Sequence, residues 1–185
     1  MSATAETIHE YFEQYGWPVE FDDETSTWRT GFRGHTANFA IVVHLTDNWV
    51  YFVIDPFVNA PADVRCASRL HQHLLRLNHA INMAKFSVDD EGDVVLTVEL
   101  PTENLDYSEF ADGINALSYY ADAYYLDVVN TAHKPGYVPG SEDYVGGEGD
   151  LGGKPTRRGE LGLGPRASGF GVVVARALAC LLVEA

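Results

Sequence analysis

The stretch AKFSVDDEGDVVLTVELPTENLDYSEFADGINALSYYADAYYLDVV, residues 84–129, decides the fold, because its hydrophobic period changes partway along. Ala84, Phe86 and Val88 recur at every second position, and so do Val94, Leu96, Val98 and Leu100. A period of two puts such side chains on one face of a strand. Between the two runs, Asp89–Asp93 with its Gly92 suits a hairpin connection. Beyond Pro101, Asp106 and Glu109 have the spacing of a capping box, with Asp in place of Ser or Thr. Phe110, Ile114, Leu117, Ala121, Tyr124 and Val128 then follow at alternating steps of four and three, the signature of one helical face. The stretch reads as a hairpin feeding a long amphipathic helix.

Working outward, residues 63–82 carry a second clean helical stripe, Ala67, Leu70, Leu74, Leu77 and Ile81, opened by Pro61 and Asp63 and ended within Asn78–Asn82. Before it come three strands. Trp28, Thr30 and Phe32 alternate, Phe39–Leu45 is apolar on both faces, and Trp49–Ile54 runs until Asp55–Pro56. Asp22–Ser26 and Asp47–Asn48 read as turns, so the connections are short and the strands form an antiparallel meander. A first helix begins at Thr4 as N-cap, places Ile8, Phe12 and Tyr15 on one face, and stops at Gly16 and Trp17–Pro18. The expected architecture is α+β and two-layered. Its order is α-β-β-β-α-β-β-α, with helices packed on a five-stranded antiparallel sheet.

From His133 the periods collapse. Residues 133–185 hold 12 of the 17 glycines and four of the eight prolines. The domain is therefore expected over 1–132, followed by a Gly/Pro-rich flexible tail with an apolar end, Phe170–Val183. Charge divides the same way. Residues 1–132 hold 6 Lys/Arg and 21 Asp/Glu, so 6 − 21 = −15, the whole formal charge of the chain. A domain so acidic repels phosphate backbones and anionic membrane surfaces, which argues against nucleic-acid and membrane partners. Phe170–Val183 is interrupted by Arg176 and is shorter than the ~20 residues a membrane span needs. The first residues lack the charged and apolar regions of a secretory signal, and the two cysteines, Cys66 and Cys180, suggest no disulfide framework. A reduced, cytoplasmic protein is expected.

Several motifs imitate chemistry and fail on context. His71 and His73 would share one side of a strand, but on a helix they lie roughly 200° apart. They are expected at opposite edges of the leucine stripe, with His79 pointing away from it. Asp89, Asp90, Glu91 and Asp93 resemble a calcium loop. Placing Gly92 at the sixth position, however, puts Val98 where the EF-hand needs Glu. Gly147, Gly149 and Gly152 satisfy G-x-G-x-x-G without the strand and helix that make it a dinucleotide site, and Gly153–Lys154 is no phosphate loop. Cys66 sits among apolar helix positions with no base beside it. No catalytic, cofactor-binding or metal-binding residues are assigned, and no cofactor is expected.

One feature of the last helix points outward. Tyr119 and Leu126 lie about 160–180° from its core stripe, seven residues apart on one face, with Val129 nearby. A helix apolar on two faces packs against two things. Tyr119, Leu126 and Val129 are therefore the expected interaction residues, either for a homodimer or for a protein partner.

The order of elements resembles the YbjN family of bacterial sensory-transduction regulators, which has the type III secretion chaperone-like fold. The resemblance rests on Trp28–Gly34 (WRTGFRG), Leu74–Phe86 (LLRLNHAINMAKF), Val88–Val95 (VDDEGDVV) and Ala121–Tyr125 (ADAYY), and spans about residues 5–132. It implies a non-enzymatic interaction module, regulatory or chaperone-like, and carries no catalytic residues with it. The alternative is a small enzyme or ligand-binding domain whose site forms only in space.

Overall fold

The computed structural model describes residues 2–140. Its elements are α1 (Ala5–Tyr15), β1 (Glu20–Asp22), β2 (Thr27–Arg33), β3 (Asn38–Leu45), β4 (Trp49–Val58), α2 (Val64–Ala80), β5 (Ala84–Val88), β6 (Val94–Pro101) and α3 (Tyr107–His133). The α+β reading holds, with one strand more than the sequence periods predict. Six strands, every neighbouring pair antiparallel, run in the order β1-β2-β3-β4-β6-β5. The added strand, β1, is three residues long, too short for alternation to register. It forms by folding back on β2, with Glu20 opposite Arg29 and Asp22 opposite Thr27.

The second departure is at Asp55–Pro56, which does not end β4. The strand runs through this cis peptide to Val58. Its pairing with β3 stops at Val53, and Pro56 lies between the last two registered β6 pairs, those of Ile54 and Val58. The β4–β6 register also shifts between Ile54 and Val58. A proline removes no ladder hydrogen bond at such a place.

One face of the sheet forms the core. Ile41 and Val43 of β3, Val50, Phe52 and Ile54 of β4, and Val94, Leu96 and Val98 of β6 are buried there with the stripes of the helices. Phe110, Ile114, Leu117, Ala121 and Val128 of α3 are buried as their spacing predicts, and so are Leu70, Leu74 and Leu77 of α2. Each such Leu or Ile contributes about 1.5–3 kcal/mol through burial. Gly113 lets α3 lie close on the sheet, since a Cβ there would meet Leu100 Cδ1 at 3.1 Å. The helix starts match the capping signals. Thr4 accepts from Thr7, Asp63 from Arg65 and Cys66, and Asp106 with Glu109 closes a capping box.

After α3 the chain turns back. Tyr137 and Gly140 reach Asp127, and the Arg69 guanidinium donates to the carbonyls of Thr131 and Lys134. No helix among the described residues is long and apolar enough to cross a membrane. The tail motifs, Gly147–Gly152 and Phe170–Val183, lie outside the described residues, as does Cys180.

Candidate interaction surface

The outward stripe of α3 carries Tyr119, Asp122 and Leu126 in steps of three and four. Tyr119 is 50% and Leu126 44% exposed, both large apolar side chains left in water. Val129 is only partly buried and packs against the core, so it borders the stripe without extending it. Asp122, between the two, is already engaged by the β2–β3 turn. The His35 amide donates to Asp122 Oδ1 at 2.7 Å, and the His35 ring Nδ1 meets Oδ2. That hydrogen bond, then the charge of Asp122, holds the His35 imidazole above its ordinary pKa. The turn comes this close because residue 34 is glycine. A Cβ there would run into the Asp122 carboxylate and stand 2.9 Å from the Phe39 ring. The stripe is thus two apolar side chains flanking an acid–histidine clasp.

Tyr119 is also backed from behind. Its ring contacts Tyr120 at 5.3 Å between centroids, Tyr120 stacks on Tyr124 at 6.0 Å, and Tyr124 meets Phe86 of β5 at 6.4 Å. The Tyr120 hydroxyl accepts from the amide of Asn82 at 3.2 Å. This ladder ties the exposed ring to the sheet and limits the rotamer entropy it would lose on being covered.

The histidines of α2 part company. His79 is exposed, as its wheel position predicts, and His71, at one edge of the leucine stripe, is exposed too. His73 is not at an edge: it is 8% exposed, and its Nε2 lies 2.7 Å from Asp127 Oδ2 on α3. The contact brings a ring nitrogen of α2 against a carboxylate of α3 inside the fold. The other carboxylate oxygen accepts from the Tyr137 hydroxyl at 2.8 Å and the Gly140 amide at 3.1 Å. Burial pushes the Asp127 carboxyl up. The contacts from His73, Tyr137 and Gly140 outweigh it and hold the pKa below the usual carboxylate range. The wheel misplaces His73 because it sees one helix, whereas the surroundings of this ring are made by α3 and the returning turn. The available signal was its spacing, three residues after Leu70 and four before Leu77.

Beside this pair opens a cleft of about 300 Å³ lined by His73, Arg76, Leu77, Tyr124, Asp127 and the Pro139–Gly140 turn. Among the described residues, no nucleophile for His73 is at hand. Cys66 lies two helical turns away, roughly 10 Å along the axis, and its sulfur contacts Arg69 at 3.2 Å. The carboxylates of Asp89, Glu91 and Asp93 converge within 4.8 Å of one another. Asp89 accepts from the amides of Glu91 and Asp93, and Asp93 from that of Ala60, so they shape the β5–β6 hairpin as an acidic tip.

Residues 1–134 match the model of the CesT_Tir_1 family. Among solved structures, the chain is similar to YbjN of E. coli, a putative transcription regulator by its description. The identity is 14%, 66% of this chain and 91% of that one are covered, and the TM-score is 0.49. It is also similar to a chain of the heterodimeric ExoU–SpcU complex of the type III secretion system of Pseudomonas aeruginosa, at 17% identity, covering 68% and 97%, with a TM-score of 0.48. A third likeness is to the Yersinia pestis secretion chaperone SycH in complex with a fragment of YscM2, at 10% identity, covering 64% and 97%, with a TM-score of 0.45. No curated protein matches the sequence closely enough to count as a relative.

Proposed function

The chain belongs to the CesT_Tir_1 family, and from that premise we propose that it is a non-enzymatic protein-interaction module, chaperone-like or regulatory. In this reading it works in the cytoplasm, where the free thiol of Cys66 stays reduced. It acts as a homodimer or with a protein partner seated on α3. The observation that carries this is the pair Tyr119 and Leu126, left outward after the core stripe of α3 has satisfied the sheet. Covering each side chain is worth about 1.5–3 kcal/mol of apolar burial. A two-fold pairing covers both pairs at once, and closed two-fold symmetry is the commonest for homo-oligomers. Opposing it is the repulsion of two acidic domains, which salt screens.

Analytical ultracentrifugation of the wild type and of a Tyr119→Ser, Leu126→Ser variant tests the reading. The wild type is expected to dimerise more tightly as salt rises, and the variant to remain monomeric. Two monomers across all salt and protein concentrations, with a variant that still binds every wild-type partner, would remove the α3 surface from consideration.

A ligand site is the second reading, and the His73–Asp127 cleft is its support. Against it, the Asp127 oxygens already face His73, Tyr137 and Gly140, so an incoming polar group would have to displace the returning turn.

A further inference from the structure

Within an acidic domain, α2 has the opposite charge. It carries Arg65, Arg69 and Arg76, half of the 6 Lys/Arg of residues 1–132, and none of the 21 Asp/Glu. It also carries His71, His73 and His79. Arg69 and His73 turn inward to the end of α3. The others face out. Asp63, next to the helix start, accepts the amides of Arg65 and Cys66 on its Oδ1 as the N-cap. Arg65 and Arg76 are exposed and have no ion pair among the described residues.

The same face is apolar at its centre. Leu75 is 70% and Val64 82% exposed. Taking Leu75 as the centre, Val64, Ser68, His71 and His79 fall within about 40° of it, and Arg65 and Arg76 border one side at about 80–100°. Along that border the two guanidinium-bearing residues stand about 16 Å apart, three helical turns. Arg76 also lines the cleft whose apolar walls include Leu77, Tyr124 and Pro139. Nothing in the core needs this arrangement, since Leu70, Leu74 and Leu77 fill the inner face.

We infer that the outer face of α2 is a docking surface for an acidic protein segment. The segment sets an apolar side chain on Leu75 and its carboxylates on Arg65 and Arg76. Charge selects the occupant. Phosphate-rich polymers meet two arginines and then a strongly negative domain, whereas a short acidic segment can stay on the basic strip. Opposite charges across such a face steer encounter as well as hold the complex. The surface lies on a different helix from Tyr119 and Leu126, so it is a second contact region and does not rest on the α3 pair.

The test uses the full chain and a synthetic amphipathic helical peptide with leucines on one face and glutamates on both flanks. A counterpart has glutamine at every glutamate. Binding is followed by fluorescence anisotropy, and the contact is mapped by NMR shifts. The acidic peptide is expected to shift α2 resonances and to bind about tenfold less tightly to Arg65→Glu, Arg76→Glu, and comparably less to Leu75→Ser. The effect should fade with salt, and Tyr119→Ser with Leu126→Ser should bind like the wild type. All these positions are on the surface, so circular dichroism should show each variant folded. Absence of saturable α2 shifts up to millimolar peptide overturns the inference, as does equal binding of the glutamine peptide. Self-association lost in the arginine variant, without peptide binding, would assign the face to a second copy instead. Binding of an oligonucleotide to α2 in place of the peptide would also overturn it.

Discussion

Asp127 gathers a phenol, a backbone amide and an imidazole onto one buried carboxylate. Removing it leaves the buried His73 ring, the Tyr137 hydroxyl and the Gly140 amide without their shared partner. Asp127→Ala is therefore expected to cost about 1–3 kcal/mol, seen as an earlier urea unfolding midpoint; a midpoint unchanged from wild type would contradict the role assigned to the cluster. Because the folded carboxyl is held below its usual range, its contribution is full above the unfolded pKa. It fades as pH falls through the folded value. Asp127→Asn should accordingly lose less stability than wild type over that acid range. His35 has the opposite sign. Its pKa is raised by Asp122, so the clasp is firm below the unfolded histidine value and loosens as pH rises through the folded one. An NMR titration of the His35 ring should show the raised midpoint, and Asp122→Asn should return it toward the ordinary value. Neither pairing is legible in the chain alone. His35 precedes Asp122, and His73 precedes Asp127, by many residues, and no periodicity links an imidazole to a carboxylate on another element.

At the scale of elements, what the periods carry survives: both long stripes, the β5–β6 hairpin and all three N-caps stand where spacing put them. What fails is what depends on neighbours. β1 exists only because β2 offers an edge, and β4 passes Pro56 only because β3 has already left its side. The exposed stripe of α3 was legible as an angle on a wheel, but the β2–β3 turn that splits it was not. Two expectations belong here. Asp106→Ala removes the side-chain half of the α3 capping box and should cost about 1 kcal/mol, measured by thermal unfolding. Gly34→Ala should push the β2–β3 turn off α3, collapsing the His35 pKa elevation while the sheet stays folded. An alanine variant with an unchanged His35 titration would show the turn has more room than the Phe39 contact allows.

For the whole molecule, the charge of residues 1–132 predicts negligible affinity for duplex DNA or single-stranded RNA at physiological salt, checked by anisotropy. The end of the domain is a structural question as well as a compositional one. The glycine content changes at His133, yet Tyr137 and Gly140 still serve Asp127. We propose that the folding unit closes near residue 140. A chain ending at 133 should then be about 1–2 kcal/mol less stable than one ending at 140. The strand order has a consequence in time. The neighbour of β4 in the sheet is β6, and α2 and β5 come between them in the chain. During synthesis the first four strands therefore emerge with an open β4 edge. That edge waits until residues 94–101 have been made, about 2–8 s at ordinary elongation rates. Through that interval the nascent meander is a half-sheet with an apolar face and a free ladder, open to any strand that reaches it before its own.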